Sequence, residues 1–300
     1  IAGNSSAITL QPSGALKTFK SNFGGAFATE RVYGADGVNL GWEFDGTVFA
    51  PIPTGMTTDT PDDVVEFMGH LGFAFGRSFQ HSGTGTPYAW TLLTGANELL
   101  TQSAITGLSI QPSSQTSGAL ALHTVDRTYI LYGTSSADWQ LVAYRHEIGA
   151  APNSVQQMAQ TLFLADGGLT TLAAAQEYGN FQHSALSDRV LRYFVARRGA
   201  VTASTVVRDK NQYRIFFTDG SGMYVTMSGK KALGFMPVQY PDVPLHCYRE
   251  ATSAGVERLF FIDATGYVMQ ADRGTSFDGD NIEAYISMHF SFLKAFGIIK

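Results

Sequence analysis

Charge is scarce in this chain of 300 residues. Only 15% are Asp, Glu, Lys or Arg, against about 25% in an ordinary soluble domain. A lone folded chain covers itself with such residues, so the deficit predicts that part of the surface faces other protein. The single cysteine, Cys247, excludes an internal disulfide framework and a thiolate zinc site. Cys247 lies in the alternating segment LHCYREA, which reads as a buried structural thiol. No apolar run approaches the roughly 18–20 residues of a membrane span. With a net charge of −5, the chain does not read as a dedicated nucleic-acid binder.

Catalytic patterns are missing as well. GTSSA (133–137) and GTSFDG (274–279) lack the spacing of a nucleophile elbow. His146-Glu147 is not followed by a second histidine in register, and none of the seven histidines lies closer to another than the 11 residues between His70 and His81. Metal-ligand spacing is therefore absent, as are Walker and dinucleotide glycine patterns. The expectation is a protein that is not an enzyme and needs no cofactor or metal.

What is present is apolar and β-forming. Apolar residues make up 44% of the chain, with 32 glycines, 21 Phe and 13 Tyr. Short β-rich runs recur, broken by Asp/Gly or Ser/Gly turns. LFLADGGLTTL (162–172), RIFFTDGSGMYVTM (214–227) and RLFFIDATGYVMQAD (258–272) each read as a hairpin. Gly supplies the positive φ and Asp can hydrogen-bond the turn backbone. TERVYGADGVNLGWEF (29–44) and RTYILYGTSSADWQLVAY (127–144) fit the same plan, and GHLGFAFGRSFQHSGTGTPYAWTLL (69–93) reads as a pair joined by its Gly-rich loop. Asp166, Asp219 and Asp263 hold matching turn positions, 53 and 44 residues apart. Such spacing is what propeller blades give. The predicted class is all-β, a β-propeller-like array of antiparallel blades in one large domain over 1–300, with a pair of β-sandwiches as the alternative.

Helical spacing of Leu186, Val190, Leu191, Phe194 and Val195 predicts one inserted helix over 184–198, with Ser184 or Ser187 as N-cap. PNSVQQMAQTL (152–162) is a weaker helix candidate. The start at Ile1 without methionine and the apolar end FLKAFGIIK lead to the expectation of a piece of a longer polypeptide.

Charge is unevenly spread. Residues 1–150 hold 6 bases and 12 acids, and residues 151–300 hold 14 and 13. Segment 32–76 has seven acids and no base, and Asp59, Asp62, Asp63 and Glu66 are its densest part. They read as a solvated loop or, in an assembly, as a channel-facing acidic surface. Seven bases between 189 and 214, Arg189, Arg192, Arg197 and Arg198 among them, suit a subunit interface complementary to the acidic half. Trp42, Trp90 and Trp139 lie beside predicted turns, where each could anchor an interface. FDGDN (277–281) resembles half of a calcium loop without its Gly and Glu, and reads as a turn.

Several stretches together resemble a known group. They are RVYGADGVN (31–39), WEFDG (42–46), HLGFAFG (70–76), PYAW (87–90), LTGANELL (93–100), VVRDKNQYRIFFTDGSGMYVT (206–226), GFMP (234–237) and DRGTSFDGDNIEAYI (272–286). The chain is similar to tail nozzle or tail-tube-end virion proteins of short-tailed bacteriophages, which are built around a β-propeller. The resemblance implies a structural protein of the virion tail without an active site. It implies a homo-oligomeric ring, sixfold to match the tail, with tail adaptor and fibres as partners and DNA in transient passage. It also implies a structural loop at Gly274, Thr275, Ser276, Phe277, Asp278 and Gly279, with Gly for the turn, Ser, Thr and Asp for backbone hydrogen bonds, and Phe as an anchor. Two other functions compete: a glycan-binding or glycan-cleaving propeller of host recognition, and a peptide-binding scaffold. The first lacks the sialidase-type Asp-box, since SFDGDN matches only its Ser and Asp. The second lacks repeated Gly-His and Trp-Asp signatures.

Overall fold

The turn residues divide the chain into short strands, each pairing with the next one along. The computed structural model describes residues 10–11, 15–25, 30–111, 118–146, 148–174, 181–187, 190–251, 255–277 and 279–285. Six antiparallel meanders form the blades of a β-propeller. Blade 1 is β1 (Lys17–Ser21), β2 (Arg31–Ala35), β3 (Gly41–Phe44) and β4 (Phe49–Ile52). Blade 2 is β5 (Asp63–Phe67), β6 (His70–Phe75), β7 (Ser78–His81) and β8 (Asn97–Leu100). Blade 3 holds β9 (Ile105–Gln111), β10 (Gly118–Thr124), β11 (Arg127–Gly133) and β12 (Gln140–His146). In blade 4 the strands are β13 (Gln156–Gln157), β14 (Thr161–Ala165), β15 (Gly168–Ala174) and β16 (Phe181–Ala185). Blade 5 has the longest strands: β17 (Val201–Val207), β18 (Gln212–Phe217), β19 (Ser221–Ser228) and β20 (Lys231–Gln239). Blade 6 has β21 (His246–Ala251), β22 (Glu257–Ile262) and β23 (Val268–Gln270), followed by a small hairpin of β24 (Ser276–Phe277) and β25 (Asp280–Asn281).

Each blade is sandwiched between two others, so both faces of its middle strands are buried. This is why RIFF and LFLA are nearly continuous apolar runs rather than alternations. Period-2 geometry still divides the side chains between the two neighbours. Tyr213, Ile215 and Phe217 of β18 join Leu162, Leu164 and Phe194 toward blade 4. Phe216 between them joins Leu259 and Phe261 toward blade 6. In β6, Leu71, Phe73 and Phe75 pack with Tyr33 and Ile52 of blade 1, and Ala74 with Leu120 and Leu131 of blade 3. Ala121, Ile130 and Phe163 fill the gap between blades 3 and 4. Five of the six blade interfaces thus hold a buried apolar cluster among the described residues; the seam between blades 6 and 1 holds none.

Three local expectations are corrected. The inserted helix, α1, runs only over Leu191–Val195, because Ser184 is drawn into β16 against Thr171 of β15. Ser187 caps no helix; its hydroxyl accepts the Leu169 amide at 2.8 Å. No helix forms over 152–162, where Gln156 and Gln157 pair with β14 and Thr161 already belongs to that strand. The hairpin within 69–93 turns at Gly76-Arg77, not in the Gly-rich loop, which instead leads out to β8.

Candidate functional site

The first strand of every blade is the innermost. β1 packs beside β5, β5 beside β9, β13 beside β17 and β17 beside β21. These strands enclose an axial cavity of about 300 Å³ lined by residues of β1, β13, β17 and β21. Blades 1 and 4 stand opposite each other in a six-bladed ring, so a cavity touching both must lie on the axis.

Three inner strands open on an ionisable residue: Lys17 in β1, Asp63 in β5 and His246 in β21. Since the inner strands all start at the same face of the propeller, these groups gather at one end of the axis. Asp63 is fixed by the amide of Leu108, which donates to Oδ2 at 2.9 Å, and by the Val64 amide at 2.8 Å. Desolvation raises its pKa against the pull of Lys17 and those amides. Desolvation lowers the pKa of Lys17, with Asp63 opposing. His246 is lowered by burial and then by the Lys17 charge. No hydrogen bond or ion pair reaches the Lys17 ammonium from the described residues. The walls are polar and internally braced. Gln156 Nε2 donates to the Ser204 carbonyl at 3.0 Å, and Thr202 Oγ1 to the Pro244 carbonyl at 2.7 Å. Tyr248 also lines the cavity, but its hydroxyl is buried away from that space without a hydrogen-bond partner. Cys247 packs toward the blade 5–6 core, and burial pushes its thiol up to about 12.

The acids singled out in the sequence do not converge. Asp59 binds the amide and hydroxyl of Thr54, both at 2.7 Å; Asp62 accepts the Gly76 amide at 3.0 Å; Glu66 accepts the Gly69 amide at 3.1 Å. Of the four, Asp63 interacts with the charge of Lys17, which lines the cavity. Among the described residues, no group of three or more His, Cys, Asp or Glu is placed to hold a metal.

The face where inner strands begin also carries the turn between each blade's second and third strands. Asp36, Asp126, Asp166, Asp219 and Asp263 occupy that turn in blades 1, 3, 4, 5 and 6, and Arg77 stands in blade 2. Most bind their own turn. Asp36 accepts the Val38 and Asn39 amides at 2.9 and 2.7 Å, and Asp263 accepts the Thr265 and Tyr267 amides at 3.0 Å each. Two take bases from the connection that carries α1. Arg198 pairs with Asp166 at 2.9 Å and Arg197 with Asp219 at 3.3 Å, its guanidinium lying over the Tyr193 ring. Arg192 is exposed on α1, and Arg189 lies outside the described residues.

In the 274–279 loop, Gly274 and Gly279 have φ of +79° and +97°. Ser276 Oγ accepts the Gly279 amide at 3.3 Å, and Thr275 is exposed. The Phe277 ring lies 5.1 Å from that of Tyr240 against the blade 5–6 core; Asp278 lies outside the described residues. The tryptophans pack within the chain rather than standing out as anchors. Trp42 is buried mid-strand beside Phe49, Trp90 stacks on Phe73, and Trp139 packs on His70 and His81.

Sequence reasoning missed Lys17, His246 and Tyr248. The available signal was a polar residue opening the first strand of a blade, readable only once blade boundaries are known.

No family model and no curated protein sequence matches the chain. Solved structures do. The chain is similar to BBS1N in the structure of BBS1N in complex with ARL6DN, at 14% identity and a TM-score of 0.56, over 85% of this chain and 76% of that one. Similarity extends to the Neurospora crassa Pan2 WD40 domain, at 8% identity and a TM-score of 0.52, over 81% and 72%. A chain of the mitotic checkpoint complex aligns at 11% and 0.51, over 80% and 70%. At such identities the likeness carries the fold alone, and that fold is the β-propeller.

Proposed function

We propose that this chain is a structural subunit of a phage virion, copies of which close into a ring around the DNA path of a short-tailed phage's tail nozzle. The sequence resemblance supplies the family. The structural observation that carries the reading is a pair of apolar surfaces on opposed blades. On blade 2, Leu92, Leu93 and Leu100 are 79%, 100% and 70% exposed. On blade 5, the outermost strand β20 leaves Leu233 and Met236 at 70% and 51%. Large exposed aliphatics at two separate places mark contact surfaces. Blades 2 and 5 are three apart in a ring of six, so the two surfaces point in opposite directions. That disposition suits a head-to-tail contact, which closes into a ring when the rotation per copy divides a full turn. The low charge content fits a subunit that gives up much of its surface to neighbours. DNA would pass through the lumen of the assembled ring, where an acidic wall repels the phosphates and lets the duplex slide. The candidate for that wall is the part of this face that carries Asp36, Asp59 and Asp62, since the charges of Asp166 and Asp219 are offset by Arg198 and Arg197.

The test is assembly. Light scattering and negative-stain imaging of the purified chain should reveal rings of six copies with a central opening. Leu233→Asp with Met236→Asp should reduce them to monomers that keep the β circular-dichroism spectrum. A wild-type chain that stays monomeric at high concentration, or a double variant that assembles unchanged, sinks the proposal.

A further inference from the structure

The net charge of −5 hides a segregation that only the fold reveals. In an antiparallel blade, the turns between first and second strands and between third and fourth stand at the end opposite the aspartate turns. At that end, blades 5 and 6 bring together six exposed bases: Arg208, Lys210, Lys230, Lys231, Arg249 and Arg273. The elements that carry them are tied to one another. The Asn211 carbonyl accepts the Met227 amide at 2.8 Å, which joins the two turns of blade 5. The Asp209 amide donates to Glu257 at 2.9 Å and the Glu257 amide to Asp209 at 3.2 Å, which joins blade 5 to blade 6. The acids among these bases are already engaged. Asp272 takes Lys210 and the buried Arg214, Glu257 takes Arg249, and Asp209 holds the Glu257 amide. Glu250 and Arg258 stand opposite each other on β21 and β22 and add no net charge. Arg208, Lys230 and Lys231 have no side-chain partner among the described residues, and Arg273 has only the neutral Gln270 at 3.1 Å.

We propose that this end of blades 5 and 6 binds the phosphate backbone of a nucleic-acid duplex, without regard to its sequence. Neighbouring strands stand about 4.8 Å apart, so the four strand ends of blade 5 alone span about 15 Å. A duplex carries one negative charge per about 1.7 Å of axis, under a layer of condensed counterions that Lys and Arg release on contact. Four unpaired bases over such a length match part of that array. Composition separates a duplex from other anionic partners. A protein-docking surface has an apolar or aromatic core and is poor in lysine, whereas these turns carry no aromatic and one large apolar side chain, Val256. Single strands are held by stacking on aromatic rings, which the turns lack. This inference stands apart from the nozzle reading. It needs one chain only, and this end lies opposite the face proposed for the lumen wall.

Fluorescence anisotropy of a short labelled DNA duplex, titrated with the full chain, tests it. Two duplexes of unrelated sequence should bind alike, and affinity should fall roughly a hundredfold between about 50 and about 200 mM salt, as about four phosphate contacts require. Lys230→Glu with Lys231→Glu should weaken binding at least tenfold. Arg77→Glu with Arg192→Glu, the same change of charge on exposed residues at the opposite end, should leave it within about twofold. In the unmodified chain, the duplex should protect Lys230 and Lys231 from acetylation but not Lys20 of blade 1, a readout independent of how the variants fold. Absence of saturable duplex binding at about 50 mM salt, equal losses in the two double variants, or unprotected Lys230 and Lys231 would each overturn the assignment. So would tighter binding of a single strand, or binding of phosphatidylserine vesicles without binding of the duplex.

Discussion

Arg214 is the largest of the fully buried side chains, 1% exposed, and its charge is held by groups from two blades. Asp272 of blade 6 accepts from Nη2 at 2.7 Å, Gln212 accepts from Nε and Nη2, and the Tyr224 ring lies 4.0 Å beneath the guanidinium. Desolvation alone would raise the Asp272 pKa, but hydrogen bonds from Arg214 and Lys210 hold it below the usual range. Asp272→Asn keeps a residue tolerant of the φ of +59° there and removes only the counter-charge. The expected loss is about 3–5 kcal/mol, because a buried guanidinium is left unpaired. Lys210→Met at the half-exposed partner should cost under about 1 kcal/mol. Equal costs in urea melts would contradict this division. His123 makes the second prediction. It is fully buried, with ring nitrogens 2.9 Å from Ser109 Oγ and 3.2 Å from Thr128 Oγ1, and desolvation lowers its pKa to about 3. His81 follows, to about 4. The unfolded chain takes up these protons as pH falls through about 6.5, whereas the native state resists. Stability should therefore be full above about pH 7 and fall as acid is added, with the loss above about pH 4.5 due mainly to histidine. His123→Gln should flatten that part of the curve; a stability that is already flat between pH 7 and 4.5 in the parent chain would refute it.

At the level of strands and turns, Gly34 in β2 has no room for a side chain. A Cβ there would overlap the indole of Trp42 on the neighbouring strand β3. Gly34→Ala must push Trp42 out of the blade, and a cost of about 1–3 kcal/mol is expected, read as a lower melting temperature with altered Trp fluorescence. An unchanged melt would mean that the indole relocates freely. The hairpins were legible because their information is local: an Asp and a Gly between two apolar runs specify a tight turn whatever surrounds it. RIFFTDGSGMYVTM and LFLADGGLTTL both fold as read. The helix candidates failed where pairing with the preceding or following strand outweighed local spacing. Residues 184 and 185 lie within the predicted helix span, yet β15 offers an open edge, and the backbone bonds gained there replace those of an isolated helical turn, whose nucleation is unfavourable. The Gly-rich loop after His81 misled for a related reason. Glycine content marks where the chain can turn, not which turn joins two strands.

Taken as a closed ring, the molecule is uneven. Blade 5 has strands of six to nine residues packed on both sides. Blade 6 has shorter outer strands with Val256, Tyr267 and Val268 at 55%, 70% and 66% exposure, beside the one seam that lacks an apolar cluster among the described residues. Opening should begin there. Hydrogen exchange at neutral pH should be fastest among sheet amides in β21–β23 and β1, and slowest in β18 and β19. Slower exchange in β22 than in β18 would reverse the order. The cavity residues were illegible in the sequence for the same reason that the seam is weak: Lys17 and His246 lie 229 positions apart and meet only when the ring closes. The sheets of the described residues contain no such distances. Among the described residues every sheet ladder joins consecutive strands, so none of these ladders must wait for chain made much later. On a ribosome, each blade can complete its hydrogen bonding as soon as its last strand emerges, and the loop-closure entropy that slows most β-proteins is deferred to a single late event. That event is the docking of blade 6 on blade 1. Until then the nascent molecule is an open arc, with the sides of its end blades bare and the polar groups of the axis still facing water.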